Sequence, residues 1–314
     1  MIEVNNCDIS QKKNVSCTLS AFHTVWSAPS ALKDDFCMKD YDLLVMALSA
    51  LYWRRNNGKI SLFADEYVVR YLDRMNMIGL WDKIEVLPYY LGINPYMYWA
   101  GAKLFALRKA DAPVVMMDTD LIVWKKLKCS SKSALISQNQ MGIKNANMIE
   151  ISSSKVCVAH CEPIIGNVYK PREYFVMKKH FDFDRFSWEV MPSNTAFLYI
   201  SDAKFKDYYV DTATDFMQSS CDTSDSLSYM VFAEQRLLSM CAFEKNIAVD
   251  CLISFPHDIG NQDTLTHVWG YKKILEQNDY ERMKFCKRCV NRLKKDFPEQ
   301  SDTFLKNPEF EKYV

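Results

Sequence analysis

The sequence predicts an α/β fold built on a mostly parallel central sheet flanked by helices, and three observations carry that reading. Apolar runs that read as strands alternate with helical stretches four times between Cys17 and Trp124. Alternation at this spacing gives βαβ units with right-handed crossovers, which cover a parallel sheet with helices. The most continuous apolar strand, Val114 to Met117, runs straight into two carboxylates, Asp118 and Asp120. In open sheets of this class ligands bind beyond the carboxyl ends of the strands. The second half of the chain is less regular.

Taken in order, residues 1–16 are a polar segment without the charged-then-apolar pattern of a signal peptide. Cys17 to Trp26 is the first strand. Asp40 reads as the N-cap of a helix reaching Arg55, with Leu44, Ala47, Leu48 and Leu51 as its one apolar face. Lys59 to Ala64 is the second strand, and Asp65 caps a helix to about Met77. Lys83 to Leu87 is the third, closed by Pro88. Asn94 and Pro95 open a helix over Tyr96 to Lys109, and Pro113 begins the strand into the Asp pair. From Ser130 to Glu189 polar and aromatic residues mix without a period, which predicts loops and short strands lying over the site. Tyr169, Tyr174, Phe181, Phe183 and Trp188 there suit either a sugar platform or a satellite core. Pro192 to Ser201 is a strand, helices follow over Ala203–Gln218 and Leu227–Phe243, and Asn246 to Phe255 is another strand. A basic helix then runs to about Lys295. The expected organisation is one domain over 17–275, with a regular half (17–128) and a less regular half (129–275), and 276–314 as a basic helix and tail.

Composition excludes several classes. A formal net charge of zero and a pI near 6.9 argue against a nucleic-acid partner. No apolar run approaches the ~20 residues that span a bilayer. Eleven cysteines scattered through helices and strands predict reduced thiols and a cytoplasmic protein. Cys286-x-x-Cys289 has no second pair and no nearby His, so it reads as structural. Eight glycines include no Walker or dinucleotide loop. Lys284, Lys287, Arg288, Arg292, Lys294 and Lys295 raise a peripheral contact with the inner face of a membrane, although acidic neighbours dilute the run.

The Asp pair needs its context, because 25 Asp in 314 residues make about two Asp-x-Asp pairs a chance expectation. Residues two apart on an extended chain point the same way, so Asp118 and Asp120 can share one ligand. Asp182 and Asp184 have the same spacing, but they sit among charges and aromatics with no strand before them. Two enzyme classes place Asp-x-Asp after an apolar strand. A haloacid-dehalogenase-type phosphatase would continue with Thr or Val where Ile122 stands, and would carry the pair near the start of its domain.

The other class fits several segments in the right order. SAFHTVW, KLFALRKADAPVVMMDTDLIVW, PSNTAFLYI, AEQRLL and His267-x-x-Gly270-x-Lys272 together resemble GT-A type nucleotide-sugar glycosyltransferases of family 8, the glycogenin and lipopolysaccharide-galactosyltransferase group. The last element is one residue shorter than the family's. The resemblance covers about residues 17–275 and implies a nucleotide-diphosphate sugar donor, a glycan or glycolipid acceptor, and Mn²⁺ (or Mg²⁺). It implies metal ligation by Asp118, Asp120 and His267, and donor contacts from Phe22, His23, Thr24, Asp65, Lys103, Gly270 and Lys272. Glu234 and Asn194 join the Asp pair as catalytic candidates, Glu234 as acid-base or acceptor contact. Each has a plainer reading: Lys103 and Glu234 as exposed helix residues, His267 as a structural histidine, Trp26 as packing. A GT-A-shaped protein that binds glycan without turnover is the non-enzyme alternative.

Overall fold

The alternating apolar runs of the first third become strands of one sheet, three side by side in chain order and the fourth beside the first. The computed structural model describes residues 19–129, 148–151, 154–160, 181–219, 225–253 and 264–314. The first third contains β1 (Ala21–Val25), α1 (Asp40–Asn56), β2 (Ile60–Ala64), α2 (Glu66–Arg74), β3 (Lys83–Val86), α3 (Ala102–Lys109) and β4 (Val114–Met117). Then come β5 (Leu121–Val123), β6 (Lys126–Cys129), β7 (Met148–Ile151), β8 (Val156–His160), β9 (Asn194–Ile200) and α4 (Ala203–Ser219). The chain ends with α5 (Ser226–Val231), a wide π turn (Phe232–Arg236), α6 (Leu237–Glu244), β10 (Val249–Cys251), β11 (Leu265–His267), α7 (Trp269–Gln277), α8 (Asp279–Asp296), α9 (Pro298–Phe304) and α10 (Pro308–Glu311).

Seven of these strands make one sheet in the order β10-β8-β9-β4-β1-β2-β3. Only β9 runs antiparallel to its neighbours β4 and β8; the other pairings are parallel. The fold class is therefore the expected mostly parallel α/β sheet. The path β1-β2-β3 grows one way and β4 returns to the far side of β1, so the order reverses between β1 and β4. Loops at such a reversal part in opposite directions and leave a crevice at the strand ends.

Two apolar layers cover the sheet. One joins α1 and α2 to the C-terminal helices, the other joins α3, α4, α5 and α6. This corrects the reading of α1 as a helix with one apolar face. Tyr41 and Leu43 through Trp53 are all buried, because α8 lies on the outer side of α1 while the sheet lies on the inner. Arg292 of α8 donates to the Tyr52 hydroxyl at 2.6 Å and stacks over Trp124. Residues 276–314 thus pack into the main core rather than forming a separate tail. Asp40 does not cap α1 either. One oxygen accepts from Tyr41 N at 2.8 Å, and the other receives the Tyr313 hydroxyl and lies 3.1 Å from Lys312 Nζ.

Other boundaries moved for local reasons. The helix expected from Tyr96 begins at Ala102, because Asn94 Oδ1 accepts from the amides of Tyr96 and Met97 and closes a separate turn first. The stretch expected as loops and short strands over the site contains β8, which lies not over the site but in the main sheet, fully buried between β10 and β9. Phe181, Phe183 and Trp188 pack with Phe216 and Phe232, so they are core rather than a sugar platform. Tyr169 and Tyr174 lie outside the described residues. Cys286 and Cys289 are buried against α1, where burial pushes the Cys286 thiol up to about 12, in keeping with a structural role. Cys251 is disulfide-bonded, which removes the premise of reduced thiols throughout. No helix among the described residues is long and apolar enough to cross a membrane.

Candidate metal centre and cleft

The site is built by one strand end and one antiparallel pairing with a strand from late in the chain. After Met117 the sheet partner β9 still holds the chain, with Asp118 N donating to Ala196 O at 2.9 Å. Asp118 O then accepts from Leu121 N at 3.1 Å, a tight turn that aims both carboxylates outward. β5 leaves that turn and pairs antiparallel with β11, His267 opposite Leu121. Val268 N closes the join on Asp120 O at 3.0 Å. Pairing of two three-residue strands is therefore what carries His267 to the Asp pair.

One atom each from Asp118, Asp120 and His267 lies within 4.8 Å of the others. His267 Nε2 is 3.4 Å from Asp120 Oδ1 and 3.7 Å from Asp118 Oδ2, and it is buried with no hydrogen-bond partner among the described residues. An unsatisfied buried ring nitrogen facing two carboxylates is costly unless something bonds it. The set of two carboxylates and an imidazole suits a divalent ion such as Mn²⁺ or Mg²⁺, the imidazole favouring the softer ion. The residues present fit the implied metal. Burial opposes charge on His267, but the Asp120 and Asp118 carboxylates outweigh it and hold its pKa above the ordinary value.

Each carboxylate also shares a lysine with an acid from elsewhere. Lys103 of α3 donates to both Asp118 and Glu234. Lys272 of α7 lies 2.9 Å from Asp120 Oδ2 and 2.9 Å from Asp42 Oδ1. Burial disfavours both ammoniums, yet their acid partners raise both pKa values. Glu234 is 3% exposed and accepts from Thr195 Oγ at 2.9 Å; burial pushes its pKa up. It sits on the π turn, a helix irregularity common at functional sites. Lys103 and Glu234 are thus not exposed helix residues.

Asp118, Asp120, His267, Lys103, Lys272 and Glu234 floor a cleft of about 480 Å³ at the β1–β4 crevice, lined also by Thr24, Asn194 and Gln235. Thr24 Oγ1 and Gln235 Oε1 are buried beside the cleft without partners among the described residues. Trp26 turns its indole N–H to Tyr89 O at 2.9 Å and packs, as its plainer reading had it. Asn194 lines the wall and spends its Oδ1 on Ala196 N at 3.1 Å.

Four expected donor contacts stand elsewhere. Phe22 is 1% exposed and packs edge-on against Phe63. His23 points to the other face of the sheet, bonded to Ser49 and Trp81, and burial drops its pKa to about 3. Strand alternation explains His23, which faces away from Thr24; Phe22 shares the face of Thr24 but lies two residues further back along the strand, inside the apolar layer. Asp65 accepts from Ser27 N and Oγ and from the amides of Tyr67 and Val68, so the helix cap uses it up. Gly270 does not line the cleft, and among the described residues nothing lies within 4 Å of where a Cβ would stand. We expect Asp65→Ala to cost about 2–4 kcal/mol of stability, one cap plus the buried bonds to Ser27. Nucleotide affinity should not change. Denaturant unfolding beside a binding titration checks this; weakened binding in a stable variant would return Asp65 to the donor site.

The second Asp pair is a surface turn, with Asp184 N donating to Asp182 Oδ1 at 3.1 Å. Two features escaped the sequence. Asp42 belongs to another Asp-x-Asp, with Asp40, but on a helix residues two apart diverge, and only Asp42 turns to the site. Trp99 and Trp269 line the cleft half-exposed, and no motif marked them. No curated protein matches the chain. One family model matches residues 20–306, nearly all of the sheet, cleft and covering helices, and the chain belongs to that family, the family of unknown function DUF6734.

Proposed function

We propose that this chain is a metal-dependent glycosyltransferase that moves a hexose from a nucleotide-diphosphate sugar to a glycan or glycolipid acceptor. The observation that most supports this is the gathering of Asp118, Asp120 and His267, with Lys272 beside them, at the reversal of a mostly parallel sheet. A divalent cation held by those three side chains supplies the positive charge that makes a diphosphate an acceptable leaving group. The chain's own residues do the rest. Lys272 and Lys103 set two compact positive charges in the cleft floor, where a diphosphate has its negative ones. Thr24, Gln235 and Asn194 give the cleft wall polar side chains, which suits the hydroxyls of a sugar. The exposed cations Lys284, Lys287, Arg288, Lys294 and Lys295 on α8 support peripheral contact with an anionic membrane, which liposome flotation tests.

A thermal-shift panel of UDP-, GDP-, TDP- and CMP-sugars, each with and without Mn²⁺, tests the reading. A ligand at 100 times its dissociation constant stabilises by about 2.7 kcal/mol, so one donor should raise the midpoint only when the metal is present. No metal-dependent shift with any of them would remove the proposal. By family resemblance the product keeps the donor's anomeric configuration, with attack on the face the diphosphate leaves. NMR of the product anomer reads this directly. An inverted product would instead make Glu234 the general base.

A further inference from the structure

We propose that Asp42 is a positioning residue for the cation site: it keeps Lys272 in place when Asp120 turns from that lysine to a divalent cation. The inference rests on the reading of Asp118, Asp120 and His267 as metal ligands. Lys272 Nζ is equidistant from Asp42 Oδ1 and Asp120 Oδ2, at 2.9 Å each. An ion held by Asp120 draws charge from that carboxylate even when bound through Oδ1, the oxygen that faces His267, and so weakens one of the two partners of a partly buried ammonium. An ammonium left without a counter-ion in such a place is strongly unfavourable. Asp42 is already in contact and costs nothing to recruit.

Its mounting suits that task. Asp42 stands in the first turn of α1, where the helix dipole favours a carboxylate, and the helix behind it is buried along its length. Among the described residues its ion pair is with Lys272 alone. One turn further along α7, Glu276 accepts from the Tyr41 hydroxyl at 3.2 Å, so adjacent residues of α1 hold α7 at two points. The other side of the site repeats the arrangement, with Lys103 shared by Asp118 and Glu234. Four carboxylates face two ammoniums, which leaves two negative charges for a divalent ion to balance. Both lysines keep an acid partner after the Asp pair is engaged.

The test is a mutant cycle read by Mn²⁺ binding, from the EPR signal of the free ion, on the full chain without nucleotide. Asp42→Asn should raise the Mn²⁺ dissociation constant about tenfold, the worth of one lost charge-assisted hydrogen bond. In a Lys272→Met background the same substitution should change it by less than about twofold, since no ammonium remains to be stranded. Asp42→Glu should restore affinity to within about threefold of the natural chain, because it returns the charge. Asp42→Ser, which suits a helix start, repeats the cycle if the Asn variant does not fold. If the loss persists undiminished in the Lys272→Met background, Asp42 acts on the ion through space and the positioning role is overturned. If the natural chain binds no Mn²⁺, the cation site falls and this inference with it.

Discussion

Asp120→Ala is expected to remove Mn²⁺-dependent nucleotide binding while leaving the fold intact. Even partners that only orient a metal ligand are worth about 10–100-fold in affinity, so loss of a direct ligand should weaken the ion at least a hundredfold. Asp120 is the more buried of the pair at 5% exposure, and it faces His267 and Lys272 together. Burial opposes its charge, but those two partners win and hold its carboxyl well below the usual range. The carboxylate is therefore present at every working pH, as a metal ligand must be. The fold should survive because the backbone of Asp120, not its side chain, receives Val268 N. Lys272 would not be stranded either, since Asp42 remains. Asp182→Ala is the control with the same spacing, and its surface turn should change nothing measurable. Titration with Mn²⁺ and a nucleoside diphosphate, beside a melting curve, decides the matter. Intact metal-dependent binding in the Asp120 variant would move the site elsewhere.

What could be read from the sequence was what neighbouring residues decide among themselves. β2 and β4 stand within a residue of their expected bounds, and Asp65 caps α2 as its position before the helix required. These signals are local: an apolar run, a turn residue, a side chain that reaches its own backbone. The Asp pair belongs with them, because a strand that ends in two carboxylates is visible in a dozen residues. The misses share the opposite cause. α1 could not be seen as buried all round, since what covers it is α8, far along the chain. Lys103 read as a surface lysine because nothing near it in sequence shows that Asp118 and Glu234 will flank it. β8 is a run of five among polar neighbours, and only its seat between β9 and β10 makes it core. His267 was reached by family resemblance alone; its physical reason is the β5–β11 pairing. Residues that chemistry needs together are gathered by the sheet's crossovers, and a linear pattern records only one side of each contact.

Lys103→Met should be among the most destabilising single changes available, and its pH dependence should say why. The ammonium is buried and bonded to Asp118 and Glu234 at once. Removing it leaves two carboxylates facing each other in a largely closed cleft. Breaking a buried ion pair from one side costs about 3–5 kcal/mol, because the surviving charge has no compensation. Glu234, at 3% exposure, bears most of it. Its folded pKa is already raised by burial with Lys103 present, and Lys103 is what restrains the rise. A carboxyl whose folded pKa exceeds its unfolded one binds more protons folded than unfolded, so stability falls as pH rises between the two values. Without Lys103 that upper value climbs, and the deficit of the variant should be largest in alkaline buffer and shrink steadily under acid. Adding Glu234→Gln, which keeps the shape and removes the charge, should recover more than half of the loss and flatten the pH profile. Urea unfolding at several pH values measures both. A deficit that is the same at every pH, or a double variant no better than the single, would mean that Lys103 matters for its packing and not for the carboxylates it joins.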